Sequence, residues 1–126
     1  MSKPTVQPPT AEQAANYPPD LATMRRNALR LIGPEQPTPW HDELERLNPL
    51  LRGHLQLLIP EVEKLAFPLP ANDPPRACAI ACLGEARMRL RLGWADATPG
   101  LRLSIARKLA RSLNALCDHY ENLTGT

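Results

Sequence analysis

Apolar residues recur every three or four positions through most of the chain, with polar residues between them. This spacing is typical of helices that bury one face. A first helix is predicted over residues 20–32, with a buried face at Leu21, Met24, Ala28 and Leu31. A second is predicted over residues 38–67, and its apolar positions are Leu44, Leu47, Leu51, His54, Leu58, Val62 and Leu65.

Two prolines interrupt the second helical pattern, at Pro49 and Pro60. A proline inside a helix removes one backbone hydrogen bond and crowds the preceding turn. Because the apolar positions stay in phase across both prolines, we expect one bent helix there and not separate elements.

The second half of the chain predicts two more helices. The third covers residues 73–92, and its expected buried face is made of small or apolar residues that would let a neighbouring helix approach closely: Ala77, Ile80, Ala81, Gly84 and Met88. The fourth covers residues 98–125 and has the longest regular apolar face, formed by Leu101, Ile105, Leu109, Leu113, Leu116, Tyr120 and Leu123.

The ends of these segments support the same assignment. Prolines stand at the predicted helix starts and glycines at their ends, which follows the different backbone freedom of the two residues. The aromatic content of 4% does not suit a sandwich or barrel. We therefore predict an all-α fold, a compact antiparallel bundle of about four helices forming one domain over residues 18–126. Residues 1–17 are Pro-rich without an apolar period and are expected to form a disordered tail.

The net charge of +2 is too small to indicate a polyanionic partner, although residues 1–75 balance to −2 and residues 76–126 to +4. Two bundle halves that attract each other explain this asymmetry, and a basic nucleic-acid face is the alternative. No apolar run is long enough for a membrane helix, and the N-terminus has no apolar signal core. With an odd number of cysteines, three, we expect a cytoplasmic chain with reduced thiols and no membrane partner.

Motifs of the large enzyme classes are missing from the sequence. It contains no phosphate-binding glycine loop, no His-Glu-x-x-His and no nucleophile elbow. Cys78 and Cys82 share a helix face, but zinc would need two further ligands. We predict no catalytic residue, no cofactor and no metal. The sequence favours a non-enzymatic protein over an enzyme without deciding between them.

The fourth helix carries a continuous polar strip of Arg107, Arg111, Asn114, Asp118 and Glu121. On the third helix, Glu85 and Arg89 lie four residues apart, with Arg87 and Arg91 nearby. Both sets could be solvated faces. Alternatively, Glu85 faces Arg111 and Asp118 faces Arg87, which would define a polar groove or fix the helix register.

Four strings in order, at residues 51–55 (LRGHL), 58–63 (LIPEVE), 84–87 (GEAR) and 109–121 (LARSLNALCDHYE), carry a resemblance. Together they are similar to a family of small actinobacterial proteins of unknown function, commonly labelled "natural product biosynthesis protein". The resemblance covers residues 20–123 and implies a cytoplasmic setting in specialised metabolism or its regulation. It directs attention to the motif positions among the polar residues, and the candidate groove or interaction site is Glu61, Glu85, Arg87, Arg111, Asn114, Asp118 and His119.

Leucines also lie outside the four core faces, at Leu50, Leu57, Leu90, Leu92 and Leu103. Some of them should form an exposed apolar patch, which usually indicates a partner. The leading hypothesis is a non-enzymatic accessory or protein-interaction module that binds a protein partner or forms a homodimer. The alternatives are a nucleic-acid-binding regulator that uses the basic second half, and a small-molecule-binding protein or enzyme with a polar groove between the third and fourth helices.

Overall fold

The computed structural model describes residues 17–125, and of the predicted tail only Tyr17 falls within that range. Four helices follow one another: α1 (Leu21–Ile32), α2 (His41–Ala66), α3 (Pro74–Leu90) and α4 (Pro99–Thr124). No strand occurs among residues 17–125. The predicted all-α bundle of four helices is therefore confirmed. No helix within the described range combines the length and the apolar character needed to cross a bilayer.

Local chemistry sets the ends of the helices. The side chain of Asp20 accepts the backbone N–H of Thr23 at the start of α1, and Thr98 accepts that of Leu101 at the start of α4. Gly125 ends α4 in the left-handed conformation, at a φ of 75°. The start of α2 differs from the prediction, because the helix begins at His41 and not at residue 38.

α2 runs without a break through Pro49 and Pro60, as predicted. Both prolines are exposed, so their rings lie on the outward face of the helix. The missing N–H of Pro60 leaves the carbonyl of Gln56 without its usual helical donor, on a side of α2 where water is available.

The helices are arranged around a close contact between α2 and α4. α4 packs against all three other helices, whereas α1 and α3 lie on opposite sides of the α2–α4 pair and do not pack against each other. The contact between α1 and α2 is the smallest of the five helix–helix contacts. Asn27 meets His54 while Arg30, farther along α1, meets Glu43, so α1 and α2 run antiparallel.

The core is almost entirely leucine and alanine, with Ser112 its one buried polar residue among those described. The predicted faces of α1, α2 and α4 are largely confirmed. In α2, however, Leu55 occupies the core beside a half-buried His54, and in α4 Leu101 is exposed. The largest fully buried side chains are Leu47, Leu51, Leu55, Leu58, Leu83, Leu109, Leu113 and Leu116.

The predicted buried face of α3 is wrong. The helix buries Ala79, Leu83 and Ala86, while Gly84 and Met88 are exposed. Of the other predicted positions, Ala77 and Ala81 are also exposed and Ile80 is half-buried. α3 carries small residues on all of its faces, so its sequence does not indicate which face is buried. The burial of Leu83 determines the rotation of the helix about its axis. A Cβ at Gly84 would meet nothing within 4 Å, so this glycine does not serve a close helix approach.

Candidate functional site

Asn114 and Asp118 of the predicted site meet an arginine that the sequence analysis did not consider. Arg25 on α1 donates from Nη2 to Oδ1 of Asp118 at 2.8 Å and from Nη1 to Oδ1 of Asn114 at 2.9 Å. Its Nε donates to Oε1 of Glu121 at 3.3 Å. We call Arg25, Asn114, Asp118 and Glu121 the Arg25 cluster. Hydrogen bonds to both carboxylates raise the pKa of the guanidinium, although its burial acts in the opposite direction.

The predicted pairs between α3 and α4 are wrong. Glu85 pairs with Arg89 of its own helix, at 2.5 Å from Nη2, and not with Arg111. Arg87 pairs with Glu63 on α2, and not with Asp118. The reason is the rotation of α3, which directs Arg87 towards α2. Arg111 is exposed, and within residues 17–125 neither it nor the half-buried His119 makes a side-chain hydrogen bond or ion pair.

Arginines on the other helix surfaces tie chain segments together. Arg89 donates to the carbonyl of Lys108 at 2.9 Å and to Oγ of Ser112 at 3.0 Å, which joins α3 to α4. Arg52 donates to the carbonyls of Leu90 and Leu92, both at 2.9 Å, and so holds the end of α3 against α2. These contacts satisfy groups at helix surfaces and ends, which is a structural role.

A second such network surrounds the loop between α3 and α4. Nη1 of Arg102 donates to Oε1 of Glu45 at 2.6 Å, and Nε1 of Trp94 donates to the same carboxylate at 3.2 Å. Arg102 also donates to the carbonyls of Trp94 at 3.0 Å and Ala95 at 2.9 Å. One arginine thus connects the start of α4, the loop before it and α2.

Burial disfavours the charged forms of two cysteines and one histidine. Burial raises the pKa of Cys82 and of Cys117 to about 11, so both remain thiols. Burial also lowers the pKa of His54, whose Nε2 lies 2.9 Å from Nδ2 of Asn27. No group of three metal-ligating side chains occurs in the described part of the chain.

We call the cleft between α1 and α2 the α1–α2 groove. It contains two main depressions, and a third of about 380 Å³ lies at its end, where it is lined by Arg30, Trp40, Asp42, Glu43 and Arg46. The larger, about 450 Å³, is lined by Tyr17, Pro18, Pro19, Asp20, Thr23, Met24, His54, Gln56, Leu57, Pro60, Glu61 and Lys64. The smaller, about 390 Å³, is lined by Arg26, Asn27, Leu29, Arg30, Gln36, Glu43, Arg46 and Leu47. Glu61 is the one predicted site residue in either lining, and it pairs with Lys64 at 3.2 Å.

Along one edge of this groove, α2 presents a row of residues at spacings of three and four, all exposed except the half-buried Gly53: Arg46, Leu50, Gly53, Leu57, Pro60 and Lys64. Of these, Arg46, Leu57, Pro60 and Lys64 also line the groove. We call this row the outer stripe. Leu57 is 60% exposed and Leu50 39%, and Leu29 on α1 is 43% exposed. A Cβ at Gly53 would meet nothing within 4 Å. Leu50 and Leu57 are thus exposed as predicted, whereas Leu90, Leu92 and Leu103 pack partly against the core.

The comparisons with known proteins add a family. No curated protein and no solved structure matches the chain. A family model described as a family of unknown function, DUF6415, matches residues 22–125, which include nearly all of α1 and the whole of the other three helices. The chain belongs to this family of unknown function.

Proposed function

We propose that the protein is a non-enzymatic interaction module that binds a partner protein through the outer stripe and the adjoining α1–α2 groove. The observation that carries this proposal is the exposure of Leu50 and Leu57 on one face of α2, next to the least closed of the helix–helix contacts. A contiguous exposed apolar patch on a folded domain is typical of a surface that another molecule covers.

The geometry of the stripe supports a helical or extended protein segment as the bound element. Leu50 and Leu57 are seven residues apart on a helix, so they project from the same side. Gly53 between them leaves space for a side chain of the partner. Full burial of a leucine contributes roughly 1.5–3 kcal/mol. Two half-exposed leucines together with Leu29 therefore offer enough surface to anchor an interface.

The charged residues between the helices support an interaction role over catalysis. The Arg25 cluster, Arg89, Arg52 and Arg102 hold helices and loops to one another through hydrogen bonds of 2.6–3.3 Å. Their donors are directed at carbonyls and carboxylates of the same chain and are not gathered around a cleft.

The resemblance to the actinobacterial family suggests the biological setting. We propose a cytoplasmic role in specialised metabolism or its regulation, with a larger enzyme or regulator as the partner. A second copy of the chain is the alternative occupant of the same surface.

Affinity capture from the native host tests the proposal. The double variant L50E/L57E places two charges on the outer stripe. M88E/L101E is the matched control with two charges, because Met88 on α3 is 63% exposed, Leu101 on α4 is 50% exposed and neither lines the α1–α2 groove. Wild type and the control should recover the same partner, identified by mass spectrometry, and L50E/L57E should lose it. Light scattering of the purified proteins separates a foreign partner from a homodimer. Equal recovery by L50E/L57E and wild type would contradict the proposal.

A further inference from the structure

We propose that the α1–α2 groove receives an acidic amphipathic helix of the partner, whose carboxylates pair with Arg26 and Arg46. This partner chemistry rests on the proposed interaction function and deepens it.

The first observation is the charge left over in the groove. Most charged side chains around it are already paired: Arg30 contacts Glu43 at 2.5 and 2.8 Å, and Lys64 contacts Glu61 at 3.2 Å. Arg26 and Arg46 are exposed, and within residues 17–125 they make no ion pair and no side-chain hydrogen bond. They line the same 390 Å³ depression from opposite helices. Two guanidinium groups without an ion pair in the described part of the chain therefore line this depression.

Within residues 17–125 the acidic residues near the groove form no ion pair with these two arginines, although Asp20 lies close enough to Arg26 to interact with it electrostatically. Asp20 caps α1 and accepts hydrogen bonds from the backbone and side chain of Thr23, at 3.1 and 2.7 Å. Asp42 lies in the first turn of α2, where the positive end of the helix dipole already favours an anion. Neither aspartate lines the 390 Å³ depression, where three arginines and one glutamate give the lining a net positive charge.

The second observation is the apolar pattern beside these charges. Leu29 contributes from α1, and Leu50 and Leu57 from α2, with the open space at Gly53 between the last two. A helix that lies in a groove presents its apolar side chains at spacings of three, four and seven residues. Leucines on the partner helix would contact Leu50 and Leu57, and acidic residues on its flank would reach Arg26 and Arg46.

Other occupants fit this surface less well. In a two-fold dimer the same patch faces itself, so the net positive lining of one copy would be brought against that of the other. The first sixteen residues of the chain carry one acidic residue, Glu12, and one lysine, Lys3, so they supply no net negative charge. The phosphates of a nucleic acid could pair with the arginines, but its charged backbone would not cover the exposed leucines beside these arginines.

Peptide binding to the full chain tests the inference. The probe is an 18-residue, fluorescein-labelled peptide with leucines at i, i+4, i+7 and i+11 and glutamates on the flanking positions. A matched probe has lysine in place of every glutamate. By fluorescence anisotropy, the glutamate peptide should bind at least about tenfold more tightly than the lysine peptide, and added salt should reduce this preference because exposed charges are screened.

Charge reversal locates the contact. In R26E/R46E the preference should invert in favour of the lysine peptide, and in the neutral variant R26Q/R46Q it should disappear. R91E/R111E is the matched control, since it changes the net charge equally at two exposed arginines outside the groove. Equal affinity for the two peptides, an unchanged preference in R26E/R46E, or binding of a short DNA duplex with no peptide bound would overturn the inference.

The capture experiment distinguishes this failure from failure of the proposed function. A host partner that is lost from L50E/L57E but retained by R26E/R46E would keep the interaction module and remove the acidic helix. A partner retained by both variants would remove both proposals.

Discussion

Arg25 on α1 and Asp118 on α4 form an ion pair whose Nη2–Oδ1 distance is 2.8 Å. Three-quarters of the Arg25 side chain is shielded from solvent, while Asp118 is more than half exposed. The same guanidinium also contacts Asn114 and Glu121, so a single arginine of α1 contacts three polar residues that span about two turns on one face of α4. This contact fixes the position of α1 along α4.

Arg25→Ala should lower the free energy of unfolding by about 1–2 kcal/mol, because it removes three charge-assisted or polar contacts at once. Asp118→Ala should cost about 0.5 kcal/mol, since its partner keeps two other acceptors and the site is exposed. Urea denaturation measures both. A double-mutant cycle should give a coupling for Arg25 with Asp118 and none for Arg111 with Glu85. Coupling in the second pair with none in the first would contradict the structural assignment.

The stability of the protein should fall as the pH is lowered below about 6.5. Burial places the pKa of folded His54 below its ordinary value of 6.5, an effect that Asp20 opposes. The unfolded chain therefore binds the proton first, and the free energy of unfolding falls until the pH reaches the folded pKa. Neutral His54 accepts a hydrogen bond from Asn27, and protonation removes that acceptor.

Thermal melts between pH 7.5 and 5.5 test this expectation. His54→Gln should flatten the pH dependence, and His41→Gln is the control because its ring is exposed on the first turn of α2. A wild-type melting temperature that stays constant across this range would show that His54 is protonated equally easily in the folded and unfolded chain.

Gly84→Ala should raise the free energy of unfolding by about 0.5–1 kcal/mol. Gly84 lies in the interior of α3, is exposed and has open space around the position of a Cβ, so alanine reduces the freedom of the unfolded chain without a clash. Gly125→Ala is the opposing control, because its φ of 75° strains an alanine. Calorimetric melts should therefore shift in opposite directions. If Gly84→Ala instead destabilised the protein, the result would support the close helix approach that the sequence predicted at Gly84.

The three cysteines should react at very different rates. With a pKa of about 11, the thiols of Cys82 and Cys117 are roughly one part in a thousand thiolate at pH 8, and Cys117 is also buried. Exposed Cys78 should take up iodoacetamide first in the native protein, and all three should react in denaturant. Peptide mass spectrometry follows the modification, and Cys78→Ser should abolish the fast phase. Rapid native modification of Cys117 would show that α1 and α4 separate readily.

The sequence predicts where the helices lie along the chain better than it predicts which helix faces pack together. Leucine spacing reveals the buried faces of α1, α2 and α4, because one side of each is clearly more apolar. α3 gives no such contrast, since Ala77 and Ala81 are as apolar as the buried Ala79 and Ala86. Its rotation depends on which side Leu83 takes in the assembled bundle, and that is a tertiary effect.

The partners of the predicted site residues are likewise determined by tertiary packing. The polar strip on α4 is visible in the sequence, but its partner Arg25 lies 93 residues before Asp118. Charge spacing within a helix cannot reveal which other helix it faces. The exposed Leu50 and Leu57, in contrast, could be found, because they fall outside the core face of a helix whose period is clear. Arg26 and Arg46 can be identified as arginines without an ion pair in the described part of the chain only once the partners of Arg30 and Lys64 are known.

The absence of packing between α1 and α3 has a consequence for the kinetics of opening. α1 has three buried side chains, Met24, Ala28 and Leu31, and polar contacts from Arg25, Asn27 and Arg30, and its release would leave the contacts among α2, α3 and α4 intact. Its amides should therefore exchange with solvent deuterium as a separate cooperative unit, ahead of those at the centre of α2 and α4. Because α1 forms one side of the groove, the proposed partner would bind only while α1 is packed on the bundle. Binding would therefore slow hydrogen exchange at the amides of α1, and part of the binding free energy would go into stabilising the packed position of α1. Substitutions at Ala28, which touch no partner, would then tune affinity through the population of the closed helix.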